Sequence, residues 1–543
     1  MLDEKEREPL MPRPSIRWMK YSVVAVVALL YSIESMAQSN EPLAARIDKI
    51  ISRPEFAHAN FGIEFYAMDT GRIIYKLNAD KLFVPASTTK LLTEGTVLAR
   101  LGADFRFHTR IYRTGPIDVS GRLKGDLVLV ASGDPNLSNR LQPNGTLAFM
   151  DDDHVEGGPA LPGDPLSVIR KLAQAVYAKG VRQIDGHVLI DASLFPDGPR
   201  EGGSNVVLSS IVINDNVIDI TATPGSNAGD PVALHISPQT SYAHFVNHLT
   251  TAAAGGQASL DTDNVSNPDG TATLTLSGSI PVGSAPQNWV APVPSPTRFA
   301  TLVLEDSLRA TGIKVPSRHA SAQGSAGALA HFYTDENLVA EHVSAPLSED
   351  VKVTLKVSQN LHAGIGQYLL GAYVAHDQTD PFKAGFKIEH AFLEEAHLDL
   401  NGASQGDGAG GDWADLFSPD FMCSYLIHWS KRPEFDVFFK ALPILGKDGT
   451  LAKVQTESPA AGHVFAKTGT FLSEDLLSGK NMLNSKGLAG YVFTQSGRKL
   501  AFAAYINHFR LPFDNNAAPQ DVAGQALGAI AAAAYDAVLP QGP

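Results

Sequence analysis

Ser87 and Lys90 stand three positions apart in Ser87-Thr88-Thr89-Lys90. On a helix that spacing puts both side chains on one face, within reach of each other. A serine hydroxyl is a poor nucleophile until a base removes its proton. A neutral lysine amine can be that base, but a free lysine titrates near ~10.4. Burial or a second cation must therefore lower it. Lys467, in Lys467-Thr468-Gly469-Thr470, is a candidate for that cation. If this segment is a strand, Lys467 and Gly469 share one face and Thr468 and Thr470 the other. Gly469 has no side chain, so a substrate can approach the strand edge closely. Ser358-Gln359-Asn360 adds a second hydroxyl and an amide. Each group alone is commonplace. All three in this order, at a helix start, a helix end and a strand, point to a serine nucleophile with a lysine base.

The elements that must position these groups follow from patterning. Residues Phe61 to Ala67 and Arg72 to Leu77 flank Asp69-Thr70-Gly71 and read as a hairpin. Pro85-Ala86-Ser87 precedes a helical stretch with Leu91, Leu92, Val97 and Leu98 as its apolar positions, and Ser87 suits the helix start. From about Ala103 to Phe332, strand-like runs dominate: Leu127 to Ala131, His187 to Ile190, Val217 to Thr221 and Thr271 to Leu276. Leu166 to Tyr177 is the clearest helix there. Leu347 to Leu361 has helical spacing, and Ser418-Pro419 opens another helix. Strands are expected at Val464 to Phe471, Leu488 to Thr494 and Leu500 to Asn507, with Ser496-Gly497 turning the last two into a hairpin. An Ala-rich helix over Asp521 to Val538 closes the chain. This is an α/β catalytic domain in two chain segments, interrupted by a β-rich insertion. The expected division is a signal segment at 1–37, catalytic segments at 38–104 and 336–543, and an insertion of one or two subdomains at 105–335.

The chain has 543 residues, 44% hydrophobic and 18% charged, which suits a globular body of more than one domain. A net charge of -14 argues against nucleic-acid binding, which needs a basic surface. Arg13, Arg17 and Lys20 precede an apolar run from Tyr21 to Ile33, then Ser35-Met36-Ala37. That pattern predicts an export signal cleaved after Ala37. The alternative is an uncleaved interfacial anchor, with peripheral membrane association; the run is short for a span of about 20 apolar residues. The lone Cys423 permits no intrachain disulfide and is expected as a buried small apolar residue.

The chain resembles the low-molecular-mass penicillin-binding proteins, in particular the D-alanyl-D-alanine carboxypeptidase/endopeptidase family with a large insertion after the serine motif. The resemblance rests on Val84 to Lys90, Ser132-Gly133-Asp134-Pro135, Asn214-Asp215-Asn216 with Thr223-Pro224-Gly225, Ala345-Pro346-Leu347 leading to Ser358-Gln359-Asn360, Leu442 to Leu451, Phe465 to Thr470 and Leu488 to Tyr491. About 270 residues separate the first two motifs, room for inserted domains.

This resemblance implies helices packed on an antiparallel sheet, as in penicillin-binding proteins and β-lactamases. It implies that Ser87 attacks the bond between two D-alanines with Lys90 as base. Ser358 would relay a proton to the leaving amine, and Asn360 would hold a substrate amide. Backbone N–H groups of Ser87 and Thr470 would form the oxyanion hole. Lys467, Thr468 and Thr470 would bind the terminal carboxylate. The implied partners are peptidoglycan stem peptides, with β-lactams as covalent inhibitors, in the periplasm, without metal or other cofactor. Endopeptidase action on cross-links is a second expected activity; a penicillin-binding protein of little turnover and a β-lactamase are the alternatives.

Departures from the family pattern are Ala409 in Asp407-Gly408-Ala409-Gly410, Gly364 in place of Glu, and a long segment Leu472 to Lys486. They bear on substrate preference and the cleft rim. Four other features are read as structural. His244 and His248 are spaced for one helix face, but lack the Glu of a zinc protease. Gly406 to Gly411 reads as a loop, Asp151-Asp152-Asp153 as a solvated loop, and Asp191 as a turn residue rather than a contact for the diamino acid of a stem peptide.

Overall fold

The computed structural model describes residues 41–316, 326–512 and 515–539. The expected signal segment lies outside the described residues. The catalytic segments build one five-stranded sheet. Its strands are β1 (Asn60–Ala67), β2 (Arg72–Leu77), β3 (Val464–Asp475), β4 (Lys480–Phe493) and β5 (Lys499–Phe509), in the order β3-β4-β5-β1-β2. Every neighbouring pair is antiparallel. The first and last parts of the chain therefore meet along β1 and β5, where Asn60 pairs with Asn507 and Ala67 with Leu500.

Both faces of this sheet are covered, which explains the unbroken apolar run of β5. Successive strand residues point to opposite faces. Phe502, Ala504 and Ile506 join a core with helices α1 (Leu43–Ile51) and α6 (Pro519–Asp536). Ala501, Ala503 and Tyr505 join a second core with α2 (Lys90–Leu101), α4 (Asn360–Tyr373) and α5 (Pro419–Trp429). Ser418 caps α5 by accepting from the Phe421 N–H, as the Ser-Pro signal predicts. Cys423 is buried in the second core, with its thiol toward the Glu64 carbonyl.

The segment between the catalytic parts has its own core, from Ile111 and Leu129 to Leu304 and Val339. A four-stranded sheet there runs Leu338–Val343, His108–Arg113, Leu127–Val130, Val188–Asp191. The chain enters and leaves this region on adjacent antiparallel strands, His108–Arg113 and Leu338–Val343. Such an exit needs no long linker. The region also contains the helices Ser167–Ala178 and Pro296–Ala310, two three-stranded sheets and a short two-stranded one.

Three local expectations are corrected. The helix expected over Leu347 to Leu361 is two helices, α3 (Leu347–Val357) and α4. Ser358 breaks it with φ 64°, in the left-handed region. His244 and His248 lie on the exposed strand Ala243–Ala252, not a helix. Four strand steps separate them by about 13 Å, too far for one shared ion. Asp151 to Asp153 is not a merely solvated loop. Asp151 accepts from the Gly449 N–H, Asp152 pairs with Lys453, and Asp153 is buried and accepts from Gln359.

Candidate active site

Ser87 lies in a 3₁₀ turn, Ala86–Thr89, that runs into α2 at Lys90. It is one turn earlier than a helix cap, but the three-residue spacing acts as predicted. Lys90 Nζ donates to Ser87 Oγ at 2.7 Å, to Asn360 Oδ1 at 2.6 Å and to the Ala409 carbonyl at 2.8 Å. Three acceptors satisfy the three N–H groups of an ammonium. Lys467 Nζ donates to Ser358 Oγ at 2.8 Å and to the Thr468 carbonyl at 2.7 Å. The left-handed turn at Ser358 places residues 358 and 360 beside two different lysines. An unbroken helix would separate those contacts differently. Thus the side chains of Ser87, Lys90, Ser358, Asn360 and Lys467 are joined by hydrogen bonds from the two lysines.

The charges differ in one respect from the simple expectation. Lys90 is fully buried, and burial pulls its pKa down to about 8 against the opposing pull of Glu201, Asp407, Glu156 and Glu94. Desolvation, rather than a neighbouring cation, is the leading cause. Lys467 is held well below the ordinary lysine range, first by burial and then by Lys90 and Lys486.

Gly469 has a role other than admitting substrate. A Cβ there would stand 2.5 Å from the Pro85 carbonyl and 3.1 Å from Ser87 N. The bare strand thus packs directly under the Ser87 turn. Gly410, with φ 92°, presses on the same turn from the other side; a Cβ would lie 2.1 Å from the Ala86 carbonyl. Asp407 shapes that loop by accepting from the N–H groups of Ala409, Gly410 and Gly411. This orients the Ala409 carbonyl toward Lys90. A side chain in place of Gly364 would meet Leu208, and Glu201 lies alongside. The insertion fills the space that a glutamate at 364 would need.

A cleft of about 750 Å³ opens over Ser87, with Ser358, Asn360, Thr468 and Thr470 in its walls. Glu156, Thr450 and Lys486 also line it. Glu156 accepts from Asn360 Nδ2 at 3.1 Å, and Thr450 and Thr468 share a hydrogen bond at 2.7 Å. Trp413 packs on Phe471 at the rim, with ring centroids 4.6 Å apart. Asp191 is far from this chemistry in role: it is buried and accepts from the Ser193 N–H and the Tyr333 hydroxyl. It is the last residue of the strand Val188–Asp191, paired with Val130, rather than the turn residue expected from the sequence.

Sequence reasoning missed the Ala409 carbonyl, Glu156, Thr450 and Lys486 as parts of the site. A backbone carbonyl leaves no residue-type signal. Thr450 lies within the matched stretch Leu442 to Leu451, which was the available clue.

Behind Ser358-Gln359-Asn360 lies a buried charge network. Asp215 accepts from Arg140 at 2.6 Å, His154 Nε2 at 2.7 Å and His362 Nε2 at 3.1 Å. His154 Nδ1 reaches Asp219 at 2.7 Å, and His362 Nδ1 reaches Asp350 at 2.9 Å. Gln359 donates to Asp153 at 3.1 Å and caps α4 through the Leu361 N–H. Burial opposes charge on both histidines, but the carboxylates outweigh it and raise them to about 10 for His154 and about 9 for His362. Asp153, His154 and Asp215 are close enough to suggest a cation site. The guanidinium of Arg140 already neutralises Asp215, and both nitrogens of His154 are engaged, so this set does not suit a metal.

Comparison with known proteins agrees with this geometry. The profile described as the D-Ala-D-Ala carboxypeptidase 3 (S13) family matches residues 43–528. A D-alanyl-D-alanine carboxypeptidase from Actinomadura sp. (strain R39) is 28% identical over 442 residues, 80% of this chain and 77% of that protein. A penicillin-sensitive carboxypeptidase A from Dictyostelium discoideum is 23% identical over 493 residues, 84% of this chain and 89% of the relative. The crystal structure of penicillin binding protein 4 from Haemophilus influenzae has a similar fold, with TM-score 0.67 and 21% identity, covering 90% of this chain and 97% of that one.

Proposed function

Because the chain belongs to the D-Ala-D-Ala carboxypeptidase 3 (S13) family of serine peptidases, we propose that its Ser87 is the nucleophile of a D-alanyl-D-alanine carboxypeptidase. The observation that carries this assignment is the contact of the buried Lys90 Nζ with Ser87 Oγ and Asn360 Oδ1. In the neutral amine state Lys90 takes the Ser87 proton as Oγ attacks the carbonyl between two D-alanines. The oxyanion forms beside the Ser87 turn and residue 470, whose backbone N–H groups are its donors. One such donor is typically worth about 3–4 kcal/mol in the transition state. Ser358 passes its proton to the leaving D-alanine amine and takes one in turn from Lys467, whose ammonium donates to its Oγ. Asn360 orients the peptide, and water then hydrolyses the acyl-enzyme. A β-lactam acylates Ser87 by the same attack.

The cleft is wide compared with a dipeptide, which supports endopeptidase action on peptide cross-links as a second activity. Purified protein should bind fluorescent penicillin covalently, and Ser87→Ala should abolish the label. Masses of the products from cross-linked and uncross-linked muropeptides then give the two activities. Normal labelling of Ser87→Ala would refute the nucleophile assignment; stoichiometric labelling without D-alanine release would leave a binding protein of little turnover.

The basic residues and apolar run before Ala37 support export to the periplasm, where stem peptides are found. Among the described residues no helix is long and apolar enough to cross a membrane. The mature chain is expected to begin at Gln38. Intact mass of protein recovered from a secreting host checks this; a full-length mass in the membrane fraction would instead show a retained anchor with peripheral association.

A further inference from the structure

We infer that Lys486 is a further substrate-binding residue, pairing with the terminal carboxylate of the peptide and with the equivalent carboxylate of a penicillin. This rests on the reading of Ser87 as the acylated residue. Lys486 lies on β4 directly opposite Thr470 on β3. Both belong to the face that also carries Thr468, and Lys486, Thr468 and Thr470 all line the cleft. Lys486 Nζ donates to Thr470 Oγ1 at 2.6 Å. That hydroxyl, having accepted from the ammonium, keeps its own proton to donate into the cleft.

A substrate carboxylate entering the cleft needs a cation, because burying an unpaired charge is costly. Lys467 is poorly placed to meet that need alone. It is fully buried, and its amine already serves Ser358 and the Thr468 carbonyl. Lys486 is half-buried, and its amine donates to a neutral hydroxyl. Among the described residues it forms no ion pair within 4.0 Å; Asp521 acts on it only as a more distant charge. The fold also makes room for it. A Cβ on Gly524 of α6 would stand 3.2 Å from Lys486 Cε. A lysine that lines the cleft without a carboxylate partner suits an anion that arrives with the substrate.

The test compares benzylpenicillin with its methyl ester, which lacks the carboxylate charge but keeps the reactive ring. Second-order acylation constants are measured by intact mass for the wild-type chain and for Lys486→Met. The variant is expected to lose roughly 10- to 100-fold with the acid, the scale of a hydrogen bond to a charged group, and no more than about twofold with the ester. The same loss with both compounds would show that Lys486 only supports the fold, and the inference would fall. Unchanged acylation by the acid would also overturn it. A wild-type chain that benzylpenicillin does not acylate would overturn the Ser87 reading as well, so the two failures are distinguishable.

Discussion

Lys90→Met is expected to slow acylation of Ser87 by about 10²- to 10⁴-fold, the usual range for removing a general base. Methionine has a similar length and tolerates the buried position, so the loss should be chemical rather than a failure to fold. It also leaves Asn360 Oδ1 and the Ala409 carbonyl without their shared donor, which adds to the cost. The wild-type enzyme should carry a matching pH dependence. The base form is the neutral amine, and burial sets the Lys90 pKa at about 8. At pH 7 about a tenth of the amines are neutral. Acylation should therefore rise with pH up to about 8 and level off above it. Stopped-time penicillin labelling across this range measures both effects. A flat profile between about pH 6 and 9, or an active Lys90→Met enzyme, would remove Lys90 from the base role.

Asp215→Ala should be the most damaging change away from the cleft. It leaves Arg140, His154 and His362 buried without their common carboxylate. Breaking a buried ion pair from one side typically costs about 3–5 kcal/mol. Urea denaturation followed by fluorescence reports the loss. The sign of its pH dependence follows from the folded pKa values. Both histidines are raised above 6.5, so their contribution is fully present below that pH and is lost progressively as pH rises toward about 9 for His362 and about 10 for His154. Burial works against the Asp215 carboxylate, but Arg140 and the two histidines outweigh it and hold its pKa well below 3.8. Its contribution is present above 3.8 and is lost only as pH falls through that lower value. The wild-type midpoint should thus decline from pH 7 toward 10, and Asp215→Ala should decline less. Parallel curves for the two proteins would mean that the histidines are not held charged by Asp215. Because Gln359 also donates to Asp215 at 3.4 Å, acylation should fall in the variant too.

The side chains of the candidate site were legible because residue type and order carry their chemistry. Ser87 and Lys90 are local neighbours, and a three-residue step brings them together in a 3₁₀ turn as well as in a helix. The hairpin β1–β2, the first part of β3, the strand β5 and the helix opened by Ser418-Pro419 were also legible, since alternation, turn residues and caps act within a few residues; the segment Leu472 to Lys486, read as lying between two strands, instead extends β3 to Asp475 and forms the first half of β4 from Lys480. The departure at Ala409 proved to matter through its backbone. Its carbonyl, not its side chain, meets Lys90, so replacing Ser by Ala there leaves that hydrogen bond in place.

By itself, then, the order of residues singled out Ser87 and Lys90, the two distant motifs that meet them and the helix-and-sheet class of the catalytic part. Only the tertiary structure decided how they meet. Ser358 adopts a left-handed turn because two helices must diverge there, a choice that helical spacing alone does not reveal. Asp153, Asp215 and His362 become one network because the insertion packs on α4, across separations that no local pattern records. The state of Lys90 likewise depends on desolvation by chain segments far from it. Burial is a sum over neighbours brought in by the fold, so the lowered pKa that the proposed base role of Lys90 requires is a property of packing.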